Sequence, residues 1–288
     1  MSRLIRLALP ALLIAAPAWA HGGAHSVEGG SPGWTLDPWV ILPLAATLLA
    51  YLTGFIRLRA RADTGHWRSF WLFLCGWLVL AGALVSPLHE AGERSFTLHM
   101  IEHELIMLVA ALLLPLSRPL GIMFWALPRG GRQALAPTGQ WLKVLTRPAQ
   151  ATALQALALW LWHAPPLFNR ALGHPAWHVA QHLSFLVTGL LFWQAMLRTP
   201  NRGVAVLCLF LTALTGGALG ALMALSASPW YAGYAAMGMM PFGLTPAEDQ
   251  ALAGLIMWIP GGLVHAGAAL LLLRKYLTDD VVKATLNA

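Results

Sequence analysis

Charged side chains are scarce in this chain. Asp, Glu, Lys and Arg together make up 10% of its 288 residues, against about 25% in a typical soluble domain. That is too little charge to cover a water-facing surface, which excludes an ordinary soluble enzyme, a disordered tail and a coiled coil. Cysteine is nearly absent. Cys75 and Cys208 both lie inside apolar runs, so there is no disulfide framework, zinc knuckle or CxxC copper motif. Acidic residues are few, 11 against 18 Lys and Arg, for a net charge of +7. Apolar residues, in contrast, reach 58%, with a mean hydropathy of +0.65. A multi-span membrane protein remains.

Arg3 and Arg6 precede a short apolar run over 7–16, and Ala18 and Ala20 are small residues at the −3 and −1 positions of a cleavage site. Residues 1–20 therefore read as a signal peptide, 21–37 as an outer leader containing His21 and His25, and 38–288 as the membrane domain. Seven apolar runs follow, each near the ~20 residues a helix needs to cross a bilayer. They cover about 38–56, 69–86, 96–116, 149–164, 178–197, 203–225 and 250–273. Continuous rather than alternating hydrophobicity argues against strands. The expected fold is an all-α polytopic bundle of seven transmembrane helices.

Fourteen of the 18 Lys and Arg fall in the connections 57–68, 117–148 and 198–202 and the tail 274–288. The positive-inside rule puts these inside, the N-terminus outside and the C-terminus inside. The high pI is thus accounted for by membrane topology, with no nucleic-acid partner. The connection 117–148 reads as a surface-lying segment.

Histidine is the unusual abundance, with 11 residues. His99 and His103 are four apart, as are His178 and His182, so each pair shares one helix face one turn apart. Both pairs sit in the first turns of spans that begin at the outer surface, and His163 ends the fourth span beside them. Imidazole suits copper, zinc, iron and nickel, and imidazole mixed with thioether suits copper(I). Met100 and Met107 flank the first pair. Met237, Met239 and Met240 crowd one outer loop. His21 at the expected mature start, with His25, offers a further copper ligand set. Glu102 shares the His99 face, where it could orient an imidazole, ligate a metal or relay protons. Glu104 points to another face and is expected to snorkel or to pair along the helix. Below the histidines the polar candidates are sparse: Gln155, Gln194, Thr212, Thr215 and His265.

Three blocks carry a resemblance: SFTLHMIEHELIMLVAALLLPLSRPLG at 95–121, LALWLWHAPPLFNRALGHPAWHVAQHLSFLVTGLLFWQAML at 157–197, and SPWYAGYAAMGMMPFGLTPAEDQALAGLIMWIPGG at 228–262. With them the chain resembles the multi-span CtaG family of cytochrome c oxidase assembly factors. The family's HM-x-x-H block falls on His99, Met100 and His103. Its WH-x-PP block falls on Trp162, His163, Pro165 and Pro166, with Phe168 two residues on. Its H-x-x-x-H-x-x-F block falls on His178, His182 and Phe185, and its DQ block on Asp249 and Gln250, followed by Gly254 and Trp258. Two departures are visible: Ala110 and Ala111 replace an expected Pro pair, and Glu102 replaces a common Gln.

The resemblance implies a non-enzymatic metallochaperone in the plasma (inner) membrane. It would hold copper as Cu(I) at the outer side of the membrane and help deliver it to the copper B centre of the catalytic subunit of a haem–copper oxidase. A periplasmic copper donor would stand upstream. A copper or proton transporter and a metal-free assembly scaffold are the alternatives.

Overall fold

The structure, a computed structural model, describes residues 32–61, 65–135 and 143–286. The expected signal peptide and the leader histidines His21 and His25 lie outside the described residues. Within them the chain is all-helical, with no strand.

Helix α1 (Pro38–Arg59) starts at Asp37, whose carboxylate accepts the Trp39 N–H at 2.9 Å. Helix α2 (Trp67–Val85) returns and leads into the short α3 (Pro87–Gly92). Helix α4 (Phe96–Leu116) contains a π-helical stretch, Leu105–Ala110. The connection expected to lie on the surface forms α5 (Pro119–Met123), a 3₁₀ turn (Phe124–Ala126) and α6 (Arg129–Leu135). There Arg61 and Arg132 both face the Trp125 ring. Then come α7 (Pro148–His163), α8 (Pro165–Gly173), α9 (Pro175–Arg198), α10 (Arg202–Ala224), α11 (Ala232–Ala235) and α12 (Pro246–Leu286).

Among the described residues six helices are long and apolar enough to cross a membrane: α1, α2, α4, α9, α10 and α12. The remaining expected span, 149–164, is α7, whose 16 residues reach about 24 Å, short of the ~30 Å hydrocarbon core. It stops there because Ala164 precedes Pro165 and is driven to an extended ψ of 128°. Helix α12 continues well past the expected end at 273, for 41 residues in all.

Helices α10 and α12 form the most extensive helix pair. They approach through Gly220 and Gly254: a Cβ on Gly254 would lie 2.5 Å from the Gly220 carbonyl oxygen. Gly254→Val is therefore expected to cost about 3 kcal/mol through overpacking, read as a lower thermal midpoint of the detergent-solubilised protein. An unchanged midpoint would mean that the helices do not meet there. Elsewhere α1 and α2 join through Tyr51 stacked on Phe73, with centroids 3.6 Å apart. Leu42, Leu49 and Ile56 lie seven residues apart along α1 and are each more than 60% exposed. A continuous apolar stripe turned away from the protein is what lipid covers.

Candidate metal centre

The site is assembled at the end of the bundle where α4 and α9 begin and α7 ends. Asp249, near the start of α12, fixes the start of α4. Its carboxylate accepts the Phe96 N–H at 2.6 Å, the Ser95 hydroxyl at 2.9 Å and the Thr97 N–H at 3.3 Å. A carboxylate at a helix N-terminus satisfies amides that have no partner within the helix and meets the positive end of its dipole. His99 follows within the first turn. Gln250 fastens the loop before α11, accepting the Trp230 N–H at 2.6 Å and donating to the carbonyls of Met223 and Ser228. The Asp-Gln block of the sequence is thus a clamp that holds one end of the bundle shut.

The members of each histidine pair lie side by side on one helix face, and the structure brings the two pairs together. His99 and His103 have ring centroids 4.3 Å apart, and His178 and His182 4.4 Å. Across the interface His103 lies 5.2 Å from His182, and His99 lies 5.4 Å from His178. His163 joins from α7, 6.3 Å from His103. It donates Nδ1–H to the Leu159 carbonyl at 2.7 Å, so Nε2 is the lone-pair nitrogen of the neutral ring. That Nε2 is buried with no partner.

Among the described residues two groups bring ligand atoms within 4.8 Å of one another: His89, Glu102, His178 and His182, and His99, His103 and His182. Both nitrogens of His99 and of His103, and Nε2 of His178 and His182, are buried without a hydrogen bond. Buried polar atoms are almost always paired, and unpaired ones cost free energy. A cluster of imidazole lone pairs with nothing to bond is what a cation of the copper or zinc type satisfies.

Sequence reasoning missed His89. It sits on α3, and the short turn into α4 folds it back over the pairs, with its ring 5.2 Å from His178 and 5.8 Å from His182. The shortness of the 87–95 connection was the available signal. Its Nδ1 lies 2.7 Å from Glu102 Oε1. Glu102 is fully buried and also stands 3.8 Å from His182 Nδ1. Of the roles open to it, orienting an imidazole is the one seen, and the ring is His89. Burial opposes a charge on His89, but the bond to Glu102 and its charge, with Glu93 and Glu90, hold the pKa above the ordinary value. Gln181, also missed, is fully buried with neither amide atom bonded.

The methionines divide. Met100 and Met107 are buried in an apolar cluster with Phe96, Phe168 and Phe185, and the Met107 sulfur accepts from Gln155 Nε2 at 3.8 Å. Met237 and Met239 are exposed, whereas Met240 is buried in that same cluster. Glu104 is corrected: it neither snorkels nor pairs. Its Oε2 is buried without a partner, facing the gap left by Gly261. With Met107, Gln155, Thr212, Thr215 and His265 it lines a cavity of about 50 Å³.

Fold and site together define a polytopic, all-helical membrane protein with a buried histidine cluster near one end of its bundle. The chain belongs to the family described as cytochrome c oxidase caa3 assembly factor (Caa3_CtaG), whose model matches residues 49–279. A 173-residue stretch is 25% identical to uncharacterized proteins of Mycobacterium bovis and Mycobacterium tuberculosis, and 22% identical to one of Mycobacterium leprae. Each match covers 57% of this chain and 26% of the other protein, so the chain spans about a quarter of the length of these curated relatives. No solved structure matches it.

Proposed function

We propose that this chain is a non-enzymatic assembly factor that carries copper(I) as cargo in its histidine cluster and helps deliver it to the copper B centre of the catalytic subunit of a haem–copper oxidase. It works in the plasma (inner) membrane as a seven-span protein, α7 crossing as a short span with α8 completing its outer end, and with the N-terminus outside and the C-terminus inside. The cluster then faces the outer side, where a periplasmic donor supplies copper. The observation that carries this reading is that all four ring nitrogens of His99 and His103 are buried and unbonded. Neutral imidazoles exchange a copper(I) ion without hydrolysis, so the transfer needs no catalytic group.

The test is the copper content of the oxidase purified from cells lacking this chain. Copper B is expected to be deficient, to be restored by the unchanged chain, and not to be restored by His99→Ala/His103→Ala. Full copper content without the chain would sink the reading. Transport is the second reading, favoured by the polar side chains of Glu104, Gln155 and His265 in an otherwise mostly apolar cavity. It requires copper to accumulate in sealed vesicles, where a chaperone gives binding alone.

A further inference from the structure

We infer that the histidine cluster holds two overlapping metal positions that sort cations by charge, a carboxylate-containing position for a divalent ion and an all-histidine position for a monovalent one. This rests on the reading of the cluster as a metal site.

The first position is His89, Glu102, His178 and His182, and the second is His99, His103 and His182. His182 belongs to both. A neutral imidazole has one lone pair, so His182 cannot serve two ions at once without losing its N–H proton. The two groups are therefore alternative seats for a single ion.

The seats differ in access and in charge. The His89 side chain is 18% exposed and His178 is half-buried, whereas His99 and His103 are 1% exposed. An ion arriving from water meets the first group before the second. Glu102 gives the first group a formal negative charge, fully buried beside the ligands. The second group has nitrogens alone as its ligand atoms, and Glu102 reaches it only through His182, whose Nδ1 stands 3.8 Å from Oε1. Placing a cation in a low-dielectric interior costs free energy that rises with the square of its charge, unless an anion compensates. A divalent ion is thus retained by Glu102. A monovalent d¹⁰ ion, which accepts three-coordinate nitrogen ligation and needs less compensation, moves on to the three histidines while His182 stays bound. The arrangement admits copper(I) to the deeper seat and stops zinc(II) at the shallower one.

The experiment titrates the purified full chain separately with zinc(II) and, under reducing conditions, with copper(I), against chromophoric competitors. X-ray absorption spectra then report the donors of each bound metal. Glu102→Gln is expected to weaken zinc(II) by about tenfold or more while leaving copper(I) within about threefold. His99→Gln/His103→Gln is expected to do the reverse. Unchanged protein is expected to bind one equivalent of either metal, zinc(II) with oxygen among its donors and copper(I) with nitrogen alone. Thermal midpoints of the variants establish that each is folded, and the spectra of the unchanged chain need no variant at all. Parallel losses for both metals in both variants would reduce the cluster to a single position and overturn the inference while leaving copper binding intact. Simultaneous binding of one zinc(II) and one copper(I) would overturn the shared use of His182. Absence of copper(I) binding by the unchanged chain would remove the underlying reading as well.

Discussion

With His99, His103, His178 and His182 all changed to Ala, the purified protein is expected to bind copper(I) about 1,000-fold more weakly, against near-stoichiometric binding by the unchanged chain. The substitution removes every member of the His99, His103 and His182 group and two of the four members of the other. What remains is His89 bonded to Glu102, and His163 with Nδ1 engaged on the Leu159 carbonyl. One imidazole paired with a carboxylate and one distant imidazole do not enclose a soft ion. A copper(I) competitor under reducing conditions provides the measurement, with size-exclusion behaviour as the check on folding. Equal binding by both proteins would move the site to the outer methionines or the leader histidines.

Asp249→Ala is the second substitution with a large expected effect, and it touches no ligand. The Asp249 carboxylate is 1% exposed and accepts three hydrogen bonds from the first residues of α4. Without it the Phe96 and Thr97 N–H groups and the Ser95 O–H lose their acceptor inside the protein. Removing one partner of a buried charged network costs about 3–5 kcal/mol, which should appear as a marked fall in thermal midpoint. Because His99 lies only three residues beyond Phe96, copper(I) affinity should fall with it. Asp249→Asn, which keeps an acceptor oxygen, should recover part of both. A midpoint unchanged in Asp249→Ala would show that α4 is held by other contacts.

Much of this architecture was legible from local pattern. Apart from the C-terminal end of α12, the helices built from the expected runs begin and end within a few residues of them, because a continuous apolar stretch has few ways to satisfy its backbone in lipid. The histidine pairs were legible for the same local reason: four residues apart on a helix means one face. What was not legible depended on how connections fold back. His89 is remote from the pairs in any single helix, and only the tight turn through Ser95 brings α3 over them. Glu104 read as a snorkelled or helix-paired carboxylate because its helix face differs from that of His99, but the missing side chain of Gly261 on a distant helix opens space for it inside. The three outer methionines looked like one cluster in sequence. A residue at positive φ, Phe242, sits in the turn just after them, and Met240 faces the core while Met237 and Met239 do not. Helix α7 shows the opposite limit. Its apolar run was found, but its length is set by Pro165 and falls short of a full crossing.

The π-helical stretch of α4 has a consequence for how this protein can change length. A π turn amounts to one inserted residue within an otherwise α-helical ladder. Here it separates the half of α4 that carries His99 and His103 from the half that packs Leu114 beside Gly76 of α2. Each half is anchored by its own neighbours. Inside the stretch the Met107 carbonyl accepts the Trp193 indole N–H at 3.2 Å, so an acceptor of the widened turn is met by a side chain of α9. Deleting any one residue from 105 to 110 would restore a regular ladder and leave the two halves close to their present phase, because the wider π turn already takes up the extra residue within one revolution. The histidines and Leu114 would then keep their partners. A single deletion, which in a regular helix would rotate one half against the other by about 100°, is thus the change in length that this stretch can absorb.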